Sequence, residues 1–213
     1  MKSTLFNMVA VLFTVTLIAS AGVGAVNMIT ADAIAEANAA ATKQAVSNVL
    51  PAFENTEVSE QTIDDMPFKV YTATNGGEKI GYAVESMTKN GFGGVIRLMV
   101  GFATDGQILN VNVLQQAETP GLGTKMADED NKLLKSIKDK KAWEIEFKVK
   151  KDGGELDALT AATISSRAYY DAVERAYRAY RVAAGFADSA DGVSGATSTN
   201  DAGHKAQEGG QNE

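Results

Sequence analysis

Hydroxyl side chains are concentrated in residues 157–166, whose sequence DALTAATISS directly precedes a predicted long helix. Thr160, Thr163, Ser165 and Ser166 place four hydroxyls within seven residues. One interpretation is helix capping, in which a hydroxyl oxygen accepts a hydrogen bond from a first-turn N–H group and Asp157 favours the helix dipole. However, one cap needs only one hydroxyl, and the free N–H groups of a helix N-terminus also bind phosphate. From the residues alone, both interpretations stand.

Two glycine-containing loops could approach a flat ligand. The loop ETPGLG at 118–123 combines a proline and two glycines, which favours a tight turn with an accessible backbone. The loop GFGG at 91–94 carries one aromatic residue, which could be a core residue or a ligand contact. It lacks both the G-x-G-x-x-G spacing and the following helix of a dinucleotide-binding fold. Most turns of this kind only reverse the chain, so neither loop identifies a ligand by itself.

The composition of the 213 residues excludes several classes of site. There is no cysteine, which excludes disulfides, thiolate zinc sites, iron–sulfur clusters and catalytic thiols. The single histidine, His204, lies in a polar C-terminal segment, so we expect no histidine-based metal site. The net charge of −7 makes nucleic acid an unfavourable partner. An electron carrier built from this chain therefore needs an organic cofactor such as a flavin.

The N-terminal segment predicts a membrane anchor. Residues 3–31 contain no charged side chain, and a spanning helix needs about 20 apolar residues. Lys2 precedes this run and Asp32 follows it, which predicts a cytoplasmic N-terminus and an extracytoplasmic remainder. The alternative is a cleaved signal peptide with a site near Ala19-Ser-Ala, although the apolar run continues beyond that site. We therefore expect an anchor over 1–31 and a helical stalk over 32–51 that ends at Pro51.

The soluble part predicts one α+β domain over 52–186 with an antiparallel-rich sheet and packed helices. Asn75-Gly-Gly and Asp105-Gly indicate hairpin turns between strands. We expect an irregular acidic segment over 52–67, five strands and two helices. The predicted strands are 68–74, 80–87, 95–103, 108–114 and 143–149, and the predicted helices are 126–137 and 164–184. The remaining residues, 187–213, are rich in Gly, Ser, Asn and Asp and predict a flexible polar tail.

The three chemical segments, in this order behind one membrane helix, resemble the FMN-binding domain found in the G-subunit of the Rnf electron-transport complex. The C-subunit of the sodium-pumping NADH:quinone oxidoreductase is related. The resemblance rests on GFGGV at 91–95, ETPGLG at 118–123 and DALTAATISS at 157–166, and it covers the anchor and most of residues 65–183. Each motif alone is modest evidence for this family, whereas the three motifs together are strong evidence.

The resemblance implies a covalent flavin. Family members carry FMN bound through its phosphate to the threonine that closes a D-x-x-[ST]-G-A-T motif, attached by a flavin transferase that uses FAD and a divalent cation. In this sequence that threonine is Thr163. The family's glutamate loop, here residues 118–123, lies close to the flavin. We expect no catalytic residue and no metal ligand in this chain. The implied cofactor-binding residues are Thr163, Asp157, Thr160, Ser165, Ser166, Glu118, Thr119, Gly121, Leu122 and Gly123.

The sequence departs from the family motif at two places. The motif glycine is replaced by Ala161, which adds a methyl group where a transferase would approach. In addition, the tail contains DGVSGAT at 191–197, which fits the motif in full. One FMN is therefore expected on Thr163, and Thr197 is a candidate for a second. The alternative for the tail is a flexible extension in which the match is accidental.

The resemblance implies an electron-carrier subunit of a membrane-bound, ion-translocating oxidoreductase. Its implied partners are the other membrane and peripheral subunits of the complex and the flavin transferase. Its implied location is the bacterial inner membrane, as a single-pass protein with the domain on the periplasmic side. One alternative is a membrane-anchored assembly module of the same fold that has lost the flavin, with Ala161 as the trace of that loss. Another is a stand-alone extracytoplasmic flavoprotein.

Overall fold

A computed structural model describes residues 5–64 and 66–186 of the chain. A long N-terminal helix is followed by a five-stranded sheet and then by a helical region that also contains three short 3₁₀ helices. This arrangement confirms the α+β fold class. The elements are α1 (Leu5–Val49), β1 (Asn55–Ile63), β2 (Met66–Asn75), β3 (Glu78–Thr88), β4 (Ile96–Ala103), β5 (Ile108–Gln115), 3₁₀ helices at Gly123–Ala127, Ala142–Glu144 and Lys150–Asp152, α2 (Lys132–Ile137) and α3 (Thr163–Ala183).

The sheet is an antiparallel meander in the order β1-β2-β3-β4-β5. The predicted hairpin turns are confirmed, since Gly76, Gly77 and Gly106 all have positive φ angles at the points where the chain reverses. Glycine adopts this conformation without the penalty that a Cβ atom brings. The short turns between consecutive strands explain why every neighbouring pair is antiparallel.

Helix α3 packs on one face of the sheet through small side chains. Ala168, Ala172, Ala176 and Ala179 are buried on one side of the helix, which brings its backbone close to the strands. The Ser86 hydroxyl on β3 donates a hydrogen bond of 2.7 Å to the Ala172 carbonyl oxygen. The alanine stripe of α3 is therefore core packing, and it holds both ends of the helix in fixed positions relative to the sheet.

The end of α1 covers part of the opposite face. Ala45, Val46 and Val49 are buried against a second apolar cluster on the sheet. A Cβ atom on Gly101 would lie 2.0 Å from the Val49 carbonyl oxygen, so only glycine allows this approach. The helix predicted for the stalk is therefore present, and its last turns pack directly on the domain.

Helix α1 is the one helix in residues 5–64 and 66–186 that is long and apolar enough to cross a membrane. Its 45 residues correspond to about 68 Å, against about 30 Å for the hydrocarbon core of a bilayer. The hydroxyls of Thr14, Thr16 and Thr30 each donate to a carbonyl oxygen one turn earlier, at 2.8–2.9 Å. These bonds satisfy the hydroxyls within the helix, as an apolar environment requires.

Three predictions of secondary structure need correction. The segment 52–67 is not irregular, because it contains β1, an edge strand with mostly exposed side chains. The predicted strand over 143–149 is wrong, since this segment begins in a 3₁₀ helix and forms only one isolated bridge, at Val149. The predicted helix over 126–137 is interrupted. Its C-terminal half is α2, and the Asn131 side chain caps it by accepting a hydrogen bond from the Leu134 N–H.

Candidate functional site

The start of α3 is a helix N-terminus without a side-chain cap. Thr163 is its first residue, and Ala162 occupies the N-cap position, where it makes no side-chain hydrogen bond. The first hydrogen bond of the helix runs from the Ser166 N–H to the Ala162 carbonyl oxygen, at 3.0 Å. The N–H groups of Thr163, Ile164 and Ser165 therefore have no acceptor within the helix. The capping interpretation of this segment is therefore wrong, and its N–H groups remain available to an anion.

The turn before α3 is held by Ser166. Its hydroxyl donates to the Ala162 carbonyl oxygen at 2.8 Å and accepts a hydrogen bond from the Leu159 N–H at 2.9 Å. This closed turn places Ala161 at φ +61°, in the left-handed region where a Cβ atom costs about 1–2 kcal/mol. The family motif has glycine at this position. The conformation of Ala161 explains that preference and shows that alanine still adopts the turn.

Glu118 joins the three segments that the sequence singled out. Its side chain is buried, and one carboxylate oxygen accepts a hydrogen bond of 3.0 Å from the Gly93 N–H. The other oxygen accepts one of 2.5 Å from the Ser165 hydroxyl in the first turn of α3. Its own N–H donates to the Gln116 side chain at 2.7 Å. A single carboxylate thus fixes the loop 91–94, the loop 118–123 and the helix start relative to one another.

Glycines allow these loops to come together. A Cβ atom on Gly93 would lie 1.8 Å from the Ala117 carbonyl oxygen. A Cβ atom on Gly123 would lie 2.7 Å from both the Glu118 Cβ and the Ser165 Oγ. These distances are far below a van der Waals contact, so any larger residue would push the segments apart. Close backbone approach therefore explains the glycines of both motifs.

Between these segments lies an open cleft of about 400 Å³ next to Thr163. This volume falls in the range of about 300–1,000 Å³ that is usual for small-molecule sites. The exposed fractions of the apolar side chains at the cleft are 68% for Phe92, 49% for Ile164 and 39% for Leu122. Lys151 also lines the cleft and is exposed. The cleft therefore combines apolar surface, a cation and free helix N–H groups around one half-buried threonine.

The structure brings together only some of the residues that the resemblance implies. Those that line the cleft are Thr119, Leu122, Gly123, Thr163 and Ser165. Glu118 contacts the cleft residue Ser165 from a buried position, whereas Gly121 is exposed on the loop and is not part of the lining. The tail residue Thr197 lies outside the described residues.

Three of the implied residues, Asp157, Thr160 and Ser166, lie outside the cleft. Asp157 forms an ion pair of 2.6 Å with Lys150 and accepts a weaker hydrogen bond from the Ser136 hydroxyl. The hydrogen bond from Lys150 holds the pKa of the Asp157 carboxyl below its usual value. Thr160 is exposed and lines a separate shallow depression, while Ser166 is buried in the turn. In the described structure these three residues support or flank the turn and do not line the cleft.

Sequence reasoning did not single out Ile164 and Lys151, and it left the role of Phe92 open. Phe92 is exposed at the cleft, so it is not a core residue. The sequence shows an apolar residue, Ile164, directly after Thr163, and this could have indicated a ligand contact. Lys151 carried no signal, because its position depends on how the segment 150–157 folds. Within residues 5–64 and 66–186, no group of three or more His, Asp or Glu side chains could hold a metal ion.

Comparison with known proteins identifies relatives of this chain. Residues 91–178, which contain all three site segments, match the family described as FMN-binding domain. A protein of Shewanella amazonensis, named as the G-subunit of an ion-translocating oxidoreductase complex, is 35% identical over 173 residues, covering 75% of this chain and 80% of the relative. The protein of the same name from Photorhabdus laumondii is 32% identical, covering 70% and 78%. That from Shewanella oneidensis is 42% identical over a shorter stretch, covering 54% and 55%.

Proposed function

Because this chain belongs to the family of G-subunits of ion-translocating oxidoreductase complexes, we propose that it carries electrons through an FMN esterified to Thr163. The family membership confirms the resemblance that the motifs indicated, and it supports a redox role for an FMN-binding subunit of such a complex. The covalent link to Thr163 is the specific part of the proposal. The observation that carries it is the position of Thr163, at an uncapped helix start inside the cleft.

The residues of the cleft fit a phosphate-linked flavin. The first-turn N–H groups of α3 and the ammonium group of Lys151 favour a negatively charged phosphodiester next to Thr163. Phe92, Leu122 and Ile164 offer apolar surface to a flat ring system. Gly123 lets the loop 118–123 pack against the start of α3, which holds Leu122 at the edge of the cleft. Bound FMN supplies reversible electron transfer, and these residues bind and orient it.

The attachment step balances with FAD as the donor. The Thr163 hydroxyl oxygen attacks the phosphorus on the FMN side of the FAD pyrophosphate, and a new P–O bond forms. The pyrophosphate P–O bond breaks, AMP leaves, and the hydroxyl proton passes to a base or to solvent. We assign this step to a flavin transferase, and none of the described residues of this chain offers Thr163 a hydrogen-bonded base. Glu118 and Ser165 position the loops around the threonine.

The conformation of Ala161 favours the flavin-carrying function over a flavin-free assembly module. The methyl group of Ala161 does not prevent the left-handed turn, since φ is +61°. Ala161 lines the cleft next to Thr163 and is exposed, so a group approaching the threonine passes beside its small methyl group. The substitution therefore keeps the turn that presents the threonine.

We place the domain on the extracytoplasmic side of the membrane, with α1 as its anchor. The apolar part of α1 begins after Lys2 and ends before Asp32, an arrangement that supports a cytoplasmic N-terminus. The apolar segment contains no charged residue that could conduct an ion, so ion transport requires the other subunits of the complex. The partners proposed for this chain are those subunits and the flavin transferase.

In-gel flavin fluorescence tests the proposal. The full-length chain is co-expressed with a flavin transferase, denatured and run on a gel, where only covalent flavin remains with the protein. We expect a fluorescent band for the unaltered chain and a strongly reduced band for Thr163→Val, which is nearly isosteric but lacks the hydroxyl. Thr56→Val, the same change at an exposed threonine of β1 that does not line the cleft, is the control and should keep the band. A band of full intensity from Thr163→Val would contradict the proposed attachment site.

A further inference from the structure

The loop 89–95, which joins β3 to β4 and carries Phe92 to the cleft, is tied to α3 at the point where it leaves the sheet. The buried Thr88 hydroxyl donates a hydrogen bond of 2.5 Å to the Asp171 carboxylate. The side-chain amide of Asn90 donates to the same carboxylate oxygen at 3.1 Å. The Asn90 N–H donates to the Thr88 hydroxyl oxygen at 3.2 Å, which closes the network. One carboxylate on α3 therefore holds the start of the loop.

The Asp171 carboxylate is itself held in place. Arg175, one helical turn further along α3, donates from its Nε to both carboxylate oxygens, at 3.1 and 3.2 Å. The Arg175 guanidinium also donates to the Asp64 carboxylate at 2.8 Å. The side chains of Asp171 and Arg175 are only 29% and 20% exposed. Hydrogen bonds between ionised groups are stronger than those between neutral groups, so Asp171 keeps a fixed orientation toward the loop.

The end of β3 faces the same part of α3. Side chains two residues apart point to the same face of a strand, and both Ser86 and Thr88 contact α3. The Ser86 hydroxyl donates to the Ala172 carbonyl oxygen, and the Thr88 hydroxyl donates to the neighbouring residue, Asp171. Two successive residues of α3 thus bind the two hydroxyls at the end of the strand. The position at which the loop 89–95 begins is therefore fixed relative to α3.

Phe92 lies between two carboxylates that hold the loop. On one side, Asn90 is bound to Asp171. On the other side, the Gly93 N–H donates to the Glu118 carboxylate at 3.0 Å. The Phe92 ring is 68% exposed, so its position depends on these contacts of the loop and not on burial in the core. A ring that is held in place before a ligand binds lowers the entropic cost of binding.

We infer that Asp171 is a positioning residue of the flavin site, which acts through Thr88 and Asn90 to hold Phe92 at the cleft and so to limit the access of water to the bound ring. The inference rests on the proposed function for the presence of the flavin. Asp171 is not part of the lining of the cleft, so it acts through the loop and not by contact with the cofactor.

Amide hydrogen exchange of the flavin-free, full-length chain in detergent tests the hold on the loop. We expect faster exchange in residues 89–95 of Asp171→Ala and of Thr88→Val, which is nearly isosteric and leaves every charge in place. Asp171→Asn keeps one acceptor oxygen and should give an intermediate rate. Glu174→Ala is the matched control, because it also removes a carboxylate from α3 but lies outside the network and is exposed.

Two results of this exchange experiment would overturn the inference. The first is an unchanged rate in residues 89–95 of both Asp171→Ala and Thr88→Val. The second is an equal acceleration in residues 89–95 and in α2, because it would show a general loss of stability and no specific release of the loop.

Iodide quenching of the covalent flavin tests the effect on the cleft, since iodide quenches only a flavin that solvent reaches. The chain is co-expressed with a flavin transferase. We expect the quenching constant of Asp171→Ala and of Thr88→Val to rise toward that of Phe92→Ala, whereas Glu174→Ala should match the unaltered chain. The double variant Asp171→Ala/Phe92→Ala should equal Phe92→Ala alone, because effects that act through one side chain do not add.

The outcomes of the quenching experiment separate the inference from the proposed function. Additive effects in the double variant, or a quenching constant that neither Asp171→Ala nor Thr88→Val changes, overturn the inference and leave the proposed function intact. A rise in Glu174→Ala equal to that in Asp171→Ala shows an effect of charge on iodide and also overturns the inference. A chain without covalent flavin overturns the proposed function, and the exchange rates then still decide whether Asp171 holds the loop.

Discussion

The two ends of helix α3 are built in different ways. At its N-terminus, two glycine loops meet the helix around the buried Glu118 carboxylate, and the geometry depends on main-chain contacts and on two hydrogen bonds to that carboxylate. At its C-terminus, aromatic side chains stack on the sheet and expose their faces. The first arrangement fixes the helix start that carries the Thr163 hydroxyl, which suits covalent attachment. The second leaves the large apolar side chains of Trp143 and Phe186 exposed at the surface.

This difference determines how each end should respond to mutation. Packing around a buried carboxylate and close backbone contacts tolerates few changes, because unpaired polar groups and overlapping atoms are both costly. An exposed aromatic surface loses contact area with each truncation but keeps its fold. We therefore expect the larger effects on stability at the N-terminal end of α3.

The largest effect on stability is expected for Glu118→Ala. This change leaves the Ser165 hydroxyl and the Gly93 N–H without their acceptor, which should lower the free energy of unfolding by about 3 kcal/mol. Glu118→Gln keeps the shape and one acceptor oxygen, so its loss should be about half as large. Urea titration of the full-length chain in detergent, followed by circular dichroism, measures both. Equal stability of Glu118→Ala and the unaltered chain would show that the carboxylate does not hold the loops together.

A smaller loss is expected for Gly123→Ala. The added Cβ atom would overlap Glu118 and Ser165, and relieving such overlap costs about 1–3 kcal/mol. Gly121→Ala in the same loop is the matched control, because its φ of +75° is strained for alanine while the space around it is open. Thermal unfolding should therefore place Gly123→Ala below Gly121→Ala. The opposite order would mean that backbone conformation, and not close packing, explains the glycines of this loop.

Ala161→Gly should stabilise the chain slightly. Glycine removes the penalty of the left-handed conformation, about 1–2 kcal/mol, but it also increases the entropy of the unfolded chain. The expected net gain is about 0.5–1 kcal/mol. Ala162→Gly, at φ −132°, offers no such relief and should destabilise the chain. Flavin content measured on both variants shows whether the motif glycine matters beyond the turn, and a loss of stability in Ala161→Gly would contradict the strain.

The smallest effect concerns an ion pair that ties α3 to the turn after β1. Hydrogen bonds from Arg178 and Arg175 to Asp64 hold the pKa of its carboxyl below the usual value. A lowered pKa in the folded state contributes stability above about pH 4, and this contribution is lost as the pH falls through the folded-state pKa. Because Asp64 is partly exposed, Asp64→Asn should cost less than about 1 kcal/mol at pH 7. Below about pH 4, the free energy of unfolding of Asp64→Asn should also fall less steeply with pH than that of the unaltered chain. Parallel curves of the free energy of unfolding against pH would contradict this role of Asp64.

The fold could be predicted where the sequence pattern is periodic. The long helices, the hairpin turns and four of the five strands have clear apolar patterns. β1 has no such pattern, because both of its faces are largely exposed at the edge of the sheet. The segment 143–149 alternates apolar and charged residues as a strand does, yet it finds no neighbouring strand to pair with along its length. Pairing depends on the tertiary structure, which single-sequence patterns do not contain.

The site could be predicted as a set of segments but not as a geometry. The motifs at 91–94, 118–123 and 157–166 do meet in space. The sequence did not indicate that Glu118 points inward, that Asp157 pairs with Lys150, or that Ala161 has a positive φ angle. These features depend on which backbone groups the fold leaves unpaired. The aromatic cluster at the C-terminal end of α3 was not foreseen either, because Trp143 is distant in sequence from Tyr177 and Phe186.

Peptide mapping of the tryptic fragment 152–167 tests the central claim most directly. This fragment contains Thr160, Thr163, Ser165 and Ser166, and fragmentation in the mass spectrometer assigns the modified hydroxyl. We predict a single FMN phosphoester on Thr163 of the chain co-expressed with a flavin transferase, and an unmodified fragment in Thr163→Val. FMN on another hydroxyl of this fragment, or an unmodified fragment from a chain co-expressed with an active flavin transferase, would contradict the account.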